Sequence, residues 1–418
     1  MEKVLSEAVK KLSPSSAERK KAEQKTAEIL EMLNQQLENA RAVLGGSGAK
    51  DTWLAGEFDI DIFIKFDYEK YSERSSELSD ILEKVVKRCF RKYARIKGSR
   101  DYFQIEDENR MFEIIPVLGI KNIREAKNVT DASPLHAAWV KSKLKAKLSD
   151  EIRLAKAFCK AADIYGAESY VQGFSGYVCE ILTIHYGSFR SLLKAALKWK
   201  EGEIIDPEGH YKKGDVEKSL NKSKVSGPLI IIDPVQPDRN AAAALSSEKF
   251  HNFRLAAEEF LKKPSISFFE KRIFTEESLK KDFKGRNLII LKATPKENKP
   301  DVMGSKLRKA FHYIEKQLKL NDFELEEADW DWSPGEEGLF WFVIKNMELS
   351  EEKELSGPPL FIKQHAEIFK KKYKKTLLRD NRLYAVVKRK FINAKKLIES
   401  LLEDKYIKEK VKKISIAG

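Results

Sequence analysis

From Phe58 to Ile64 the chain alternates, with Phe58, Ile60, Ile62 and Ile64 apolar and Asp59 and Asp61 acidic between them. A period of two predicts a strand. With a rise of about 3.3 Å per residue, both carboxylates share one face roughly 6.5 Å apart. Adjacent like charges are costly unless a cation lies between them. Mg²⁺ is the natural candidate, being hard, oxygen-seeking and able to share its ligands with phosphates. Upstream, Val43-Leu44 reads as a strand end followed by Gly45-Gly46-Ser47-Gly48. Glycines let a backbone approach a phosphate closely. Their amides and the start of a following helix would make an anion nest.

A phosphate nest beside a metal-binding Asp-x-Asp strand describes a nucleotidyl-transfer site. Asp-x-Asp alone also suits an exposed edge strand, and Ser47 also suits a helix cap. Met111-Phe112-Glu113-Ile114-Ile115-Pro116 sets one more acid among apolar neighbours. An isolated buried Glu is expensive. Glu113 is therefore expected to face the cavity of Asp59 and Asp61, as a metal ligand or a base for an attacking hydroxyl. The other reading is an exposed residue on an edge strand.

The rest of the chain sets bounds. Its 418 residues suggest two to four domains. Cys89, Cys159 and Cys179 are far apart and lack zinc-site spacing, which suggests a reducing compartment without a disulfide framework. No apolar run reaches the 18 or so residues of a membrane span, and residues 1–40 carry no signal-peptide core. Net charge is +14, and residues 361–418 hold 18 Lys/Arg against 6 Asp/Glu, so +12 of it lies there. A polyanion partner, foremost nucleic acid, is expected; the alternative is a solvated pair of basic helices.

Helices are predicted over residues 1–12, 15–40, 76–92, 135–148, 149–163, 174–199, 248–261 and 305–319. Strands are predicted near 93–96, 102–105, 111–118, 229–232, 288–291 and 339–345, with turns at Lys97-Gly98-Ser99 and Asp107-Glu108-Asn109. Ser175 is a candidate cap. Beyond Pro264 the texture is α+β, in the style of an RNA-recognition fold.

In this order and at these spacings, several stretches go together: Gly46-Ser47, Thr52-Trp53-Leu54-x-Gly56, Asp59-Ile60-Asp61-Ile62-Phe63, Pro134-Leu135-His136-x-x-Trp139, Ile164-Tyr165-Gly166-Ala167-Glu168, Gly173-Phe174-Ser175-Gly176-Tyr177-x-Cys179-Glu180, Tyr186-Gly187-Ser188-Phe189, Asp233-Pro234, Arg239-Asn240-x-Ala242-Ala243 and Ser267-Phe268-Phe269. The chain resembles the archaeal-type (class I) CCA-adding enzymes, tRNA nucleotidyltransferases of the DNA polymerase β superfamily. The resemblance is close over residues 41–270 and looser afterwards.

The resemblance implies an α+β multidomain chain: a polymerase-β-like catalytic head over 1–132, a helical nucleotide-binding neck over 133–263, and a basic α+β body and tail over 264–418 that binds tRNA. It implies Mg²⁺ as cofactor, CTP, ATP and the tRNA acceptor end as partners, and cytoplasmic work without a membrane; it also allows a homodimer. Carried across by position, Asp59, Asp61 and Glu113 would hold the metal. Gly46, Ser47 and Lys50 would contact the triphosphate, and Ser133 and His136 would hold nucleotide where head meets neck. Lys156 and Tyr165 would bind phosphate, and Arg239 would line the base pocket. Read alone, Lys156 equally suits a solvent-facing helix side, His136 a helix start, and Tyr165, Phe174 and Tyr177 a core.

Three departures stand out. Glu113 replaces an Asp and is one methylene longer. Lys50 replaces an Arg, which keeps charge but loses bidentate geometry. Gly48 replaces a larger residue. Two rivals are another nucleotidyltransferase on the same scaffold, such as a poly(A) polymerase or oligoadenylate synthase, and an inactive RNA-binding homologue.

Overall fold

A computed structural model describes residues 1–57, 59–107, 110–145, 147–212, 215–216, 220–221 and 224–417. Phe58, and Glu108 and Asn109 of the predicted turn, lie outside the described residues. The chain forms two compact units, residues 1–272 and 273–418.

The first unit opens with helices α1 (Glu2–Leu12) and α2 (Ser16–Gln36), the second closed at its start by a capping box of Ser15 and Glu18. Strand β1 (Ala40–Leu44) leads into the short helix α3 (Gly46–Lys50), then β2 (Asp59–Phe66). Helices α4 (Tyr68–Tyr71) and α5 (Leu78–Cys89) precede β3 (Ala94–Ile96), β4 (Tyr102–Asp107) and β5 (Arg110–Leu118). The five strands form one sheet in the order β1-β2-β5-β4-β3. Only β2 and β5 run parallel, and that pair carries the acids.

The alternation of β2 sorts the two faces. Ile60, Ile62 and Ile64 pack with Phe112 and Ile114 of β5, under Ile29 and Leu33 of α2 and Leu78, Leu82 and Val86 of α5. Asp59, Asp61 and Glu113 therefore point to the other face. Helix α2 stops at Gln36, four residues short of the expected end, because Ala40 already pairs with Phe66 in the β1–β2 ladder.

Helices α6 (Ser133–Lys143), α7 (Leu148–Ala161), α8 (Gly176–Tyr186), α9 (Phe189–Ala196) and α10 (Ser247–Lys262) build the remainder of this unit, with the parallel pair β6 (Glu203–Ile205) and β7 (Leu229–Ile231). The segment 174–199, expected as one helix, is two. Gly187 takes φ +77° and ends α8, and Ser188 caps α9. Phe158 at the centre meets Phe189 at 5.4 Å and Phe260 at 5.9 Å between ring centroids, both edge-on.

Arg153 of α7, almost wholly buried, ties this helical part to the loop after α3. It donates to the carbonyls of Asp51 (2.6 Å) and Trp53 (2.9 Å) and to Asp51 Oδ1 (2.7 Å).

In the second unit, β8 (Leu288–Pro295), β9 (Leu325–Asp331), β10 (Gly338–Ile344) and β14 (Val411–Ile416) form an antiparallel sheet ordered β14-β8-β10-β9. The Pro300–Leu320 helix lies against it through Leu307, Phe311 and Ile314. The basic stretch is not a pair of helices. The Lys363–Lys372 helix accompanies β11 (Glu352–Pro359), β12 (Thr376–Arg379) and β13 (Arg382–Lys388). Strands β12 and β13 join through Asp380 and Asn381, both at positive φ as a tight hairpin turn requires.

Candidate active site

The β1–α3 turn brings backbone against the acidic strand. Gly46 has φ +53°, and a Cβ there would fall 1.6 Å from Asp61 Oδ2, so only glycine fits. The α3 N-terminus thereby sits directly beside the acids of β2. The β2–β5 register sets Asp61 opposite Glu113, with Asp59 two residues earlier on the same face. Glu113 is not an exposed edge residue: β5 is flanked by β2 and β4, and Gln104 Nε2 donates to Glu113 Oε1 at 2.9 Å.

All three acids are raised above their ordinary values, first of all by burial. Burial and then Glu113 push Asp61 up to about 6, against the opposing pull of Lys50. Burial raises Glu113, with the Gln104 hydrogen bond opposing and Asp59 adding to the rise. Burial and Glu57 raise Asp59. Tyr102 of β4 feels the same field: burial, then Glu113 and Asp61, push its phenol up to about 12. Among the described residues, no three Asp, Glu, His or Cys side chains close into a preformed metal cage. An open trio of hard, mutually repelling oxygen donors still suits a divalent cation that completes its shell with water and phosphate.

A cavity of about 320 Å³ opens in front of these acids. Its lining includes Gly46, Ser47, Lys50, Asp59, Asp61, Lys156 and Tyr165, seven of the eleven site residues expected from sequence. Glu113 is not among the lining residues; it lies opposite Asp61 in the β2–β5 register. Lys156 does not face solvent. Its side chain is 5% exposed and lies in a polar cluster centred on Glu180 of α8. Lys50 Nζ donates to Glu180 Oε2 (2.6 Å), while Lys156 Nζ (2.8 Å) and Thr52 Oγ1 (2.7 Å) donate to Glu180 Oε1. Burial raises the Glu180 carboxyl, but Lys156 and Lys50 outweigh it and hold it at about 2.

Gly176, the first residue of α8, makes room for two other groups. A Cβ there would lie 2.7 Å from the Tyr165 hydroxyl oxygen and 3.7 Å from Lys156 Cε. One turn beyond Lys156, Lys160 Nζ bonds Glu57 through both carboxylate oxygens at 2.6 Å and sits 4.7 Å over the Tyr165 ring. Phe174 is a core residue, as its burial shows.

Two of the remaining expected residues, His136 and Arg239, meet at a second buried acid, Asp233. Arg239 Nη1 donates to Asp233 Oδ2 at 2.7 Å, and the Tyr177 hydroxyl donates to Oδ1 at 3.3 Å. His136 Nε2 lies 3.1 Å from Oδ2 without the alignment of a hydrogen bond, and its ring stacks on Tyr177 at 4.4 Å. Burial raises Asp233, but His136, the Val235 amide and Arg239 together hold it at about 2. Tyr177 also lines the cavity, so the two clusters adjoin. Ser133 opens α6 one turn before His136 and is not among the lining residues.

Glu180, Thr52, Asp233, Glu57 and Lys160 had no role assigned from sequence. A signal existed for Glu180, an acid inside the apolar turn Tyr177-Val178-Cys179-Glu180-Ile181-Leu182. Lys160 stands four residues after Lys156, on the same helix face.

Three family descriptions match the chain. "Nucleotidyltransferase domain" matches residues 24–113, "tRNA nucleotidyltransferase, second domain" residues 150–270, and "CCA-adding enzyme, C-terminal domain" residues 284–414. The CCA-adding enzyme of Methanocaldococcus jannaschii is 34% identical over 405 residues, covering 94% of this chain and 88% of that one. That of Nanoarchaeum equitans is 34% identical, covering 90% and 91%, and that of Saccharolobus shibatae 30%, covering 96% and 92%. Among solved structures, one of Cid1, described as having RNA terminal uridylyl transferase activity, aligns with TM-score 0.50 at 15% identity. It covers 66% of this chain and 98% of that one, a likeness of fold. With relatives at this identity along nearly their whole lengths, and successive family matches across both units, the chain belongs to the CCA-adding enzymes, a family of tRNA nucleotidyltransferases.

Proposed function

We propose that this chain adds C, C and A in turn to the 3′ end of tRNA, using CTP and ATP and no nucleic-acid template. The tRNA 3′-hydroxyl attacks the α-phosphate and pyrophosphate leaves. One observation carries this reading: a single cavity gathers the α3 N-terminus, the β2 acids with Glu113 beside them, and the Lys50–Glu180–Lys156 cluster.

Each part has work that its chemistry fits. The α3 amides, Ser47, Lys50 and Lys156 hold the negative triphosphate. Tyr165 closes the same wall, and Arg239, fixed on Asp233 and partly exposed, faces the base. Asp59, Asp61 and Glu113 would hold Mg²⁺, which when bound lowers the pKa of the 3′-hydroxyl and neutralises charge on the leaving oxygen. Their raised pKa values fit this role, because a bound cation removes the mutual repulsion. Glu113, anchored by Gln104, would complete the trio.

We assign residues 1–132 as catalytic head, 133–263 as nucleotide-binding neck and 264–418 as tRNA-binding body and tail. The basic residues of 361–418 would grip RNA phosphates, with recognition by shape and 2′-hydroxyls. No described helix is long and apolar enough to cross a membrane, and cytoplasmic work on tRNA is the matching expectation.

The test is incorporation on tRNA transcripts truncated before each of the last three nucleotides, with each labelled nucleoside triphosphate. The expected result is C, C and A, one at each stage, then a stop. Addition of A without C, or long untemplated tails, would reject CCA synthesis.

A further inference from the structure

Glu180 poses a problem for a cavity that attracts a polyanion. Its negative charge works against a triphosphate, and its side chain is only 1% exposed. Packing gives no reason for it, since a buried ionic group is commonly replaceable by an apolar one of similar volume. Both oxygens are used, with Thr52 and Lys156 on one and Lys50 on the other. The two lysines reach it from separate elements, Lys50 from the end of α3 and Lys156 from α7. Both lysines line the cavity.

We infer that Glu180 is a positioning residue: it gathers Lys50 and Lys156 from two helices and holds both ammonium groups at the wall where the triphosphate of CTP or ATP lies. The inference rests on the triphosphate reading above. Two physical effects set its sign. A lysine has a long flexible stem, and two of them fixed in advance lose less freedom when the anion arrives. A buried lysine without a counter-ion also tends to lose its proton. Glu180 pairs with Lys156 at 2.8 Å in a position where the lysine side chain is 5% exposed. Thr52 Oγ1 completes the cluster by accepting from Lys156 at 3.0 Å while donating to Glu180.

A purely electrostatic view predicts the opposite sign, since removing a negative charge should tighten phosphate binding. A merely structural role predicts no change per folded molecule. The experiment compares the parent chain with Glu180→Gln and Glu180→Asp. It uses calorimetric titration of inorganic tripolyphosphate, CTP and ATP, and steady-state KM and kcat on truncated tRNA. In Glu180→Gln the amide meets one ammonium donor to donor and releases it, so all three ligands should weaken by a common factor of about tenfold or more. KM should rise by that factor while kcat stays within about threefold, the signature of lost uniform binding. Glu180→Asp, which restores the charge at shorter reach, should recover part of the affinity.

Unchanged or tighter tripolyphosphate binding in Glu180→Gln overturns the inference. If Glu180→Gln fails to fold, Glu180→Asp carries the test, and affinity equal to the parent's overturns it. Lys50→Met and Lys156→Met separate the two levels. If neither weakens tripolyphosphate binding, the triphosphate reading itself falls; if both do and Glu180→Gln does not, only the role of Glu180 falls.

Discussion

Replacing Asp61 with Asn should stop catalysis and yet stabilise the metal-free protein. Asp61 faces Glu113 across the β2–β5 register and Asp59 along its own strand. Burial and Glu113 lift its pKa from 3.8 to about 6. The folded value lies above the unfolded one. Asp61 therefore contributes stability that is fully present below pH 3.8 and is lost as pH rises through about 6. That displacement corresponds to about 3 kcal/mol, reduced to about 2 kcal/mol by the screening of a partly exposed side chain. Asn removes the charge at nearly constant volume. In chelator at pH 8, the first thermal transition of Asp61→Asn should therefore lie about 4–8 °C above the parent's. At pH 5 the gain should shrink to about half, because the parent carboxyl then holds its proton most of the time. Added Mg²⁺ should raise the parent and leave the variant almost unmoved. A variant that melts below the parent at pH 8, or that gains equally at pH 5 and pH 8, would refute the idea that the Asp61 charge, buried and then repelled by Glu113, costs stability.

The other expectations concern the acids, the Arg153 tie and the basic stretch. Glu113→Ala should abolish nucleotide incorporation while Glu113→Asp retains it, and Asp61→Asn should bind tRNA within about threefold of the parent in a filter assay. If Glu113→Asp creates activity in an inactive parent, the inactive-homologue reading wins. Arg153→Met removes the donor to the Asp51 and Trp53 carbonyls, while the half-exposed Asp51 carboxylate keeps Arg19, so urea unfolding should show a loss of about 1–3 kcal/mol; a loss under about 0.5 kcal/mol would make the tie incidental. Changing Lys370, Lys371 and Lys372 to Ala should flatten the log–log salt dependence of tRNA binding by up to about three, near 0.9 per lost phosphate contact. An unchanged slope would place the RNA elsewhere.

What could be read from sequence was whatever depends on near neighbours. The acids of β2 were legible because strand alternation sorts side chains by parity, and Glu113 because a charge among apolar residues needs a partner. The Ser175 cap was legible from its place before an apolar run. The break between α8 and α9 was missed because the apolar spacing continues through Gly187, and only the left-handed turn there shows the stop. The strand Arg382–Lys388 is not legible in sequence because its charges obscure the buried alternation of Leu383 and Ala385. The role of Glu180 depends on Lys50, 130 residues away in the chain, and that of Arg153 on Asp51, 102 residues away. No local pattern carries such a pairing.

The β1–α3 turn also divides into one position closed to change and one open to it. A methyl group at Gly46 would overlap the Asp61 carboxylate, whereas at Gly48 the nearest atom, Leu44 Cδ1, would be 3.4 Å away. Any side chain at 46 displaces an acid and an anion-facing backbone at once, so those two properties cannot drift apart through that site. Position 48 has mutational latitude: a larger residue there can stiffen the turn and alter its fit to incoming nucleotides without disturbing the carboxylates. Libraries meant to retune nucleotide use should therefore vary residue 48 and hold residue 46 constant.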